Sequence, residues 1–325
     1  MKIYKIGIIG CGGIAQKMAA TLEKMKGVER YAVASRNQEK AEAFANKWGF
    51  TKAYGSYEEL ASDPEVDLIY IATPHAMHYD NAHMCIEKGK PVLCEKAFTA
   101  NARQAEDLLA FAKEKGVFIT EAIWTRYMPL SLKIQELLKE GVIGTPYTLS
   151  ANLSYPISNK ERIIRPELAG GALLDIGVYT LNFAAMAFGS DIVETHSVCQ
   201  KTQTGVDAQE SITLFYKDGR MATLQSSIYA KSDRMGVISG DKGHLIVENI
   251  NCPESVRVVD ENYKTIAVYH APKQISGYEY QVYASIEAIE KGWLESPYMP
   301  HAETLRIMKQ MDNLRKEWGV IYPCD

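Results

Sequence analysis

Three short stretches of this 325-residue chain carry residue types whose spacing could do chemistry. The first is Gly10-Cys11-Gly12-Gly13-Ile14-Ala15, which follows the β-branched run Ile6-Gly7-Ile8-Ile9 and opens an amphipathic one. Its glycines permit a tight turn and let backbone N–H groups approach a pyrophosphate, while the small Ala15 lets helix and strand pack closely. The helix N-terminus then favours phosphate charge. A glycine-rich turn can exist without a ligand, but its place after the first strand of a parallel sheet favours a dinucleotide. The next strand ends in Ala34-Ser35-Arg36-Asn37-Gln38-Glu39-Lys40, with no carboxylate at the tip where a ribose 2′-hydroxyl would need one. Ser35, Arg36 and Lys40 suit a 2′-phosphate instead, so NADP(H) is expected in preference to NAD(H). Otherwise these residues form a solvated basic helix start, which the helix dipole opposes.

The second stretch is Glu95-Lys96, just past a predicted strand end, at the sheet edge where ligands of open α/β sheets bind. A lysine there can hydrogen-bond a substrate oxygen or a ribose and favour ionisation of a neighbouring acid, or it can be a solvated loop charge. The third is Asp175 with Tyr179, four residues apart on an otherwise apolar predicted helix and therefore on one face. Either that face lines a site, or Tyr179 is buried with its hydroxyl satisfied by Asp175. His75, His78 and His83 raise the question of a metal, but no carboxylate or thiolate cluster completes a ligand set, and none is expected.

The elements that must position these residues follow from periodicity. Strands are predicted over 6–9, 31–35, 67–72, 91–94 and 117–120, alternating with helices over 13–26, 37–48, 57–61, 78–88 and 102–114. Such alternation implies a parallel sheet covered on both faces, an α/β, doubly wound Rossmann domain over 1–122. The run Leu68-Ile69-Tyr70-Ile71-Ala72 is apolar at nearly every position, as a strand buried on both faces must be. The rhythm then changes. A helix over 131–140, a strand over 147–155 and a helix over 171–188 precede several strands between 192 and 268, with a hairpin at Lys217-Asp218-Gly219-Arg220. Helices over 278–291 and 302–318 close the chain. Residues 123–325 are therefore expected to form one α+β domain with an open, mainly antiparallel sheet.

Composition is that of an ordinary globular protein, with 46% hydrophobic and 23% charged residues. The net charge of -4 gives no general attraction to nucleic acid or anionic lipid, and neither is an expected partner. Six scattered cysteines without a C-x-x-C pair suit reduced thiols in a cytoplasm. No leader peptide is read at the N-terminus, and the apolar stretch 172–188 is interrupted by Asp175, which makes it a poor membrane span.

Taken in order, Gly10-x-Gly12-x-x-Ala15, Ala72-Thr73-Pro74-His75 with His78, Cys94-Glu95-Lys96, Glu121-Ala122-x-Trp124-x-Arg126-x-x-Pro129 and Gly170-Gly171-Ala172-Leu173-Leu174-Asp175-Ile176-Gly177-Val178-Tyr179 resemble the Gfo/Idh/MocA oxidoreductases. Within that family the chain is most similar to the branch of dihydrodiol dehydrogenases, NADP-dependent xylose dehydrogenases and glucose-fructose oxidoreductases. The resemblance implies that Ala72, Thr73, Pro74, His75, His78, Glu95, Lys96, Trp124 and Arg126 serve the cofactor, alongside the glycine turn. It implies that Tyr179 is the general acid/base, with Lys96 as the neighbouring cation that a phenol of ordinary pKa near 10 requires. Asp175 would anchor a second substrate hydroxyl or tune Tyr179, and Trp124, Tyr155, Arg162 and Arg165 are candidates to reach substrate. Many relatives carry His in place of Tyr179, and many read Glu-Lys-Pro where this chain has Ala97. A cis bond before a non-proline residue costs about 3 kcal/mol, so the geometry beside Lys96 is expected to differ from theirs.

The implied reaction is NADP-linked hydride transfer to or from a carbinol carbon of a cyclic polyol, sugar or vicinal diol. Two competing readings are an NAD-linked inositol or sugar dehydrogenase and a regulator that senses nicotinamide without chemistry. An antiparallel sheet with helices on one face leaves the other needing cover, which points to a homodimer or a dimer of dimers.

Overall fold

The computed structural model describes residues 2–325. The chain divides into two compact units, Met1–Ile123 with Ile275–Lys309, and Trp124–Gln274 with Gln310–Asp325.

The first unit runs β1 (Tyr4–Ile9), α1 (Gly13–Leu22), β2 (Val28–Ala34), α2 (Gln38–Trp48), β3 (Lys52–Tyr54), α3 (Tyr57–Ser62), β4 (Leu68–Ile71), α4 (His78–Glu87), β5 (Val92–Glu95), α5 (Ala102–Lys115) and β6 (Ile119–Ala122). Its six strands are all parallel, in the order β3-β2-β1-β4-β5-β6. The order reverses between β1 and β4, which places a crevice at their carboxyl ends. Strands β4, β5 and β6 are buried at every position. The helices begin on polar caps, Asn37 for α2, Ser56 in a capping box with Glu59 for α3, and Asn101 for α5. Edge strand β3, three half-buried residues, has no apolar run to announce it in the sequence.

The second unit starts with a 3₁₀ turn, Trp124–Tyr127, followed by α6 (Pro129–Lys139), β7 (Pro146–Ser154) and the short α7 (Glu161–Ile164). The predicted helix over 171–188 is two structures, a π-helical turn at Leu173–Gly177 and then α8 (Val178–Phe188). Strands β8 (Ile192–Lys201), β9 (Asp207–Tyr216), β10 (Met221–Ser227), β11 (Gly236–Gly240), β12 (Gly243–Glu248), β13 (Ser255–Asp260) and β14 (Thr265–His270) join β7 in an eight-stranded sheet. The order is β14-β13-β12-β11-β7-β10-β9-β8, antiparallel except where β7 meets β10. Ile212, Leu214 and Tyr216 alternate inward on β9, where the Tyr216 ring meets Phe188 of α8 edge to face.

The segment Pro166–Phe188 is, by length and composition alone, apolar enough to cross a bilayer despite Asp175, but 89% of its most apolar window is buried inside the protein. It is the core segment of the second unit.

The expected boundary at 122/123 falls one residue early, and the expected second domain 123–325 is not continuous. Its closing part, α9 (Glu279–Glu290) and the first half of α10 (His301–Trp318), belongs to the first unit. The reason lies at the β6 edge of the parallel sheet. The Ile119 N–H donates to the Leu294 carbonyl at 3.1 Å, and His301 Nε2 lies 2.9 Å from the Ile119 carbonyl. Thr21 and Ser276 hydroxyls meet at 2.7 Å, and Tyr4 donates to Glu290 at 3.1 Å. Periodicity finds such helices but not the core they cover.

Candidate active site

At the carboxyl edge of the parallel sheet, Gly10 leaves β1 with φ +103°, a conformation that favours glycine. A Cβ there would stand 2.8 Å from the Ala72 carbonyl oxygen, so the ends of β1 and β4 can approach only with glycine at this position. Gly12 caps α1 with no side-chain hydrogen bond, and the first turn holds no acidic residue. A Cβ at Gly12 or Gly13 would meet nothing within 4 Å. Uncapped N–H groups at a helix start beside open space fit a pyrophosphate.

The tip of β2 places Ser35 buried, with Arg36 and Lys40 exposed. Lys40 presents its charge from a helix start already capped, since its N–H donates to Asn37 Oδ1 at 2.8 Å. Tyr57 packs beside Arg36; burial pushes its phenol up and the guanidinium pulls the other way. Cys11 of the glycine turn has its thiol pushed up by burial and held back by Lys40 and Ser35. Together these contacts gather Cys11, Ser35, Arg36, Lys40 and Tyr57 into one neighbourhood.

After β4, Ala72 and Thr73 lead through Pro74 into a 3₁₀ turn at His75–Met77. His78, expected to line the cofactor, is fully buried and its ring is used on the backbone. Nε2 lies 2.8 Å from the Thr73 carbonyl and Nδ1 2.8 Å from the Ala97 carbonyl. Burial, with Lys96 adding to it, pushes the imidazole below its ordinary value. His78 therefore braces the β4 turn against the segment after Lys96. Asn81 donates to the Thr73 hydroxyl at 3.1 Å from the same helix, α4. Glu95 is buried and accepts the Tyr70 hydroxyl, which fixes the end of β5. Lys96 follows, half-buried, and the Lys96–Ala97 peptide is cis although Ala97 is not proline. Among the described residues no three His, Cys, Asp or Glu side chains gather as metal ligands.

The second unit carries the other candidates. The Trp124 indole N–H donates to the Tyr179 hydroxyl oxygen at 3.0 Å, and both side chains are buried. One turn earlier Asp175 is gripped by Arg162, whose two terminal nitrogens reach Oδ1 at 2.7 Å and Oδ2 at 3.4 Å. The two-pronged bond orients the carboxylate. Arg162 thus acts on Asp175, whereas Arg165 pairs with Glu161 on the surface. Arg126, expected to serve the cofactor, is buried with Nε donating to Asn182 Oδ1 of α8 at 2.6 Å. Tyr155 donates to Asn251 at 3.3 Å, and the carbonyl of Asn251 accepts from Thr125 at 2.8 Å. Tyr70, Asn81, Asn182 and Asn251 were not read from the sequence; Asn182, a polar residue within an apolar helix, gave the one usable signal.

A Rossmann unit with an open phosphate turn, and a second unit that carries a tyrosine hydroxyl one turn after an oriented carboxylate, define a nicotinamide-dependent oxidoreductase. Residues 4–122 match the family model described as "Oxidoreductase family, NAD-binding Rossmann fold", and residues 131–246 match the GFO/IDH/MocA C-terminal domain. The chain belongs to the GFO/IDH/MocA family and is a dehydrogenase. It is similar to trans-1,2-dihydrobenzene-1,2-diol dehydrogenase of Xenopus tropicalis, 36% identical over 98% of this chain and 99% of that protein. The human enzyme of the same name is 34% identical over 98% of each chain. Among solved structures, a 3-ketoreductase from Actinomadura kijaniata in complex with NADP and TDP-benzene is 25% identical, with a TM-score of 0.86 over 96% of this chain and 97% of that one. An aldose-aldose oxidoreductase from Caulobacter crescentus shares the fold, with a TM-score of 0.88 at 20% identity over 98% of each chain.

Proposed function

We propose that the enzyme catalyses reversible, NADP-linked oxidation of a secondary alcohol on a cyclic polyol, sugar or vicinal diol. The observation that carries this reading is the Trp124 N–H on the Tyr179 oxygen, one turn after the Arg162-clamped Asp175. The glycine turn and the β2 tip would hold a nicotinamide cofactor, which would supply the hydride acceptor for the carbinol carbon. Tyr179 takes the hydroxyl proton of the same carbinol and returns it in the reverse direction. An N–H aimed at the phenol oxygen stabilises the negative charge there while the proton is away. Lys96 supplies the cation for that step, and Asp175 accepts a hydrogen bond from a second substrate hydroxyl. The near relatives that act on trans-dihydrodiols, and the NADP-bound ketoreductase of like fold, support substrates of this kind. Purified protein mixed with NADP⁺ and a panel of pentoses, hexoses, inositols and cyclic diols should generate NADPH absorbance with at least one member. Tight NADPH binding without turnover on any of them would instead favour a cofactor-sensing regulator.

The NADP preference rests on Ser35, Arg36 and Lys40 and on the missing carboxylate at the β2 tip. Replacing Arg36 by Asp removes a charge-assisted hydrogen bond to the 2′-phosphate and offers an acceptor to a ribose hydroxyl. The variant is expected to lose about 10- to 100-fold in kcat/KM for NADP⁺, equivalent to about 1.5–3 kcal/mol, and to gain for NAD⁺. An unchanged NADP⁺/NAD⁺ ratio would contradict the 2′-phosphate argument.

A groove on the eight-stranded sheet is lined by Asn152, Val198, Gln209, Ser211, Gln225 and Ser227. A second copy of the chain covering this face is the proposed assembly, and free thiols at all six cysteines suit a reducing cytoplasm. Light scattering should return at least twice the mass of one chain, and a monomer would refute the assembly.

A further inference from the structure

Two carboxylates buried beneath the Asp175 turn have no part in the chemistry above. Strict alternation along β9 would send Asp207 and Glu210 to opposite faces, yet both are buried. The pairing with β8 shifts register here, with Gln200 opposite Gln209 and Lys201 opposite Asp207, so Ala208 is an extra residue that brings Asp207 to the inward side on which Glu210 already lies. Asp207 Oδ2 accepts the Leu173 N–H at 2.5 Å, at the first residue of the π-helical turn. A Cβ at Gly171 would fall 2.2 Å from Asp207 Oδ1, and one at Gly177 would fall 2.7 Å from Glu210 Oε1. That Glu210 oxygen accepts the Ser226 hydroxyl at 2.6 Å. The two carboxylates therefore press against both ends of the segment that carries Asp175 and leads into Tyr179. Their remaining oxygens, Asp207 Oδ1 and Glu210 Oε2, are buried with no hydrogen-bond partner among the described residues. A buried carboxylate left half-satisfied destabilises a fold, so stability does not account for placing two of them under one turn.

We propose that Asp207, with Glu210 beside it, is a positioning residue: its carboxylate holds the Leu173 N–H, and through that turn it sets the Tyr179 hydroxyl. The inference rests on the proposed use of Tyr179. Burial raises both carboxyls, and the Asp207 charge raises Glu210 further. The Leu173 N–H, the backbone N–H of Asp207 itself, the Arg315 guanidinium of α10 and the Ala172 N–H hold Asp207 lower, in that order, so Asp207 is the member that ionises first. The other titratable groups facing the pair are Cys199 of β8 and Tyr322 of the C-terminal segment, both with pKa values raised by burial. As pH falls from neutrality, Asp207 gains a proton, its bond to the Leu173 N–H weakens, and the turn loosens.

The test begins with a readout that needs no substrate. The chain has four tryptophans, and the ¹⁵N–¹H indole signal of Trp124, assigned by its loss in Trp124→Phe, reports the bond to Tyr179. In the wild-type protein this signal should move between neutral pH and the ordinary carboxylate range. In Asp207→Asn it should be displaced and stay fixed over that interval, whereas Glu210→Gln should keep the movement. With a turned-over alcohol, Asp207→Asn should lose about 10- to 100-fold in kcat, with cofactor KM unchanged and the acid limb of the kcat profile gone. A Trp124 signal that does not respond to pH in the wild-type protein overturns the proposal without any variant, as does a wild-type signal in folded Asp207→Asn. A responsive signal with no turnover on any alcohol supports the positioning role and removes the proposed function.

Discussion

Tyr179→Phe is expected to reduce kcat by about 10²- to 10⁴-fold, the range for removing a general acid/base, while NADPH binds within about twofold of wild type. The split follows from placement. Tyr179 belongs to the second unit, and the glycine turn and the β2 tip belong to the first, so a lost hydroxyl leaves the phosphate contacts intact. The variant also removes the hydrogen bond from the buried Trp124 N–H to the Tyr179 oxygen, at a cost of about 1 kcal/mol visible as a lower Tm. Steady-state kinetics, a fluorescence titration with NADPH and a thermal melt give the three numbers. A variant that keeps wild-type kcat would end the assignment of proton transfer to Tyr179.

Lys96→Met keeps the length of the side chain and removes its charge, and kcat is expected to fall by about 10²- to 10³-fold, as when a preorganised electrostatic group is deleted. If Lys96 and Tyr179 serve one step, Lys96→Met combined with Tyr179→Phe should be little worse than the poorer single variant. Losses that multiply would mean that Lys96 and Tyr179 act in separate steps, with Lys96 confined to cofactor binding.

Much of this was legible in the sequence because two-sided burial and phosphate binding both leave local marks. The apolar runs of β4 and β5, the glycines at 10, 12 and 13, and the missing acid at the β2 tip are visible without coordinates. What was not legible depends on long-range packing. The pattern of 278–291 says helix, but only the contacts of Ile119 with Leu294 and His301 assign the closing segment to the Rossmann unit. The run 171–188 reads as one helix, and the π-helical turn at Leu173–Gly177 emerges only where its N-terminal end meets Asp207. Glu210 was a missed signal, since it shares its inward alternation with Ile212, Leu214 and Tyr216. His78 and Arg126 were read as cofactor residues from their motifs, but the hydrogen bonds now visible are to the Thr73 and Ala97 carbonyls and to Asn182.

The central claim is that hydrogen moves directly between a substrate carbinol carbon and the nicotinamide. The most direct measurement uses NADP⁺ and an active alcohol deuterated at that carbon, with ¹H NMR of the NADPH formed. The account predicts one deuterium at C4 of the nicotinamide, on a single face, for every alcohol oxidised. NADPH without deuterium at C4, formed at the same rate, would contradict it.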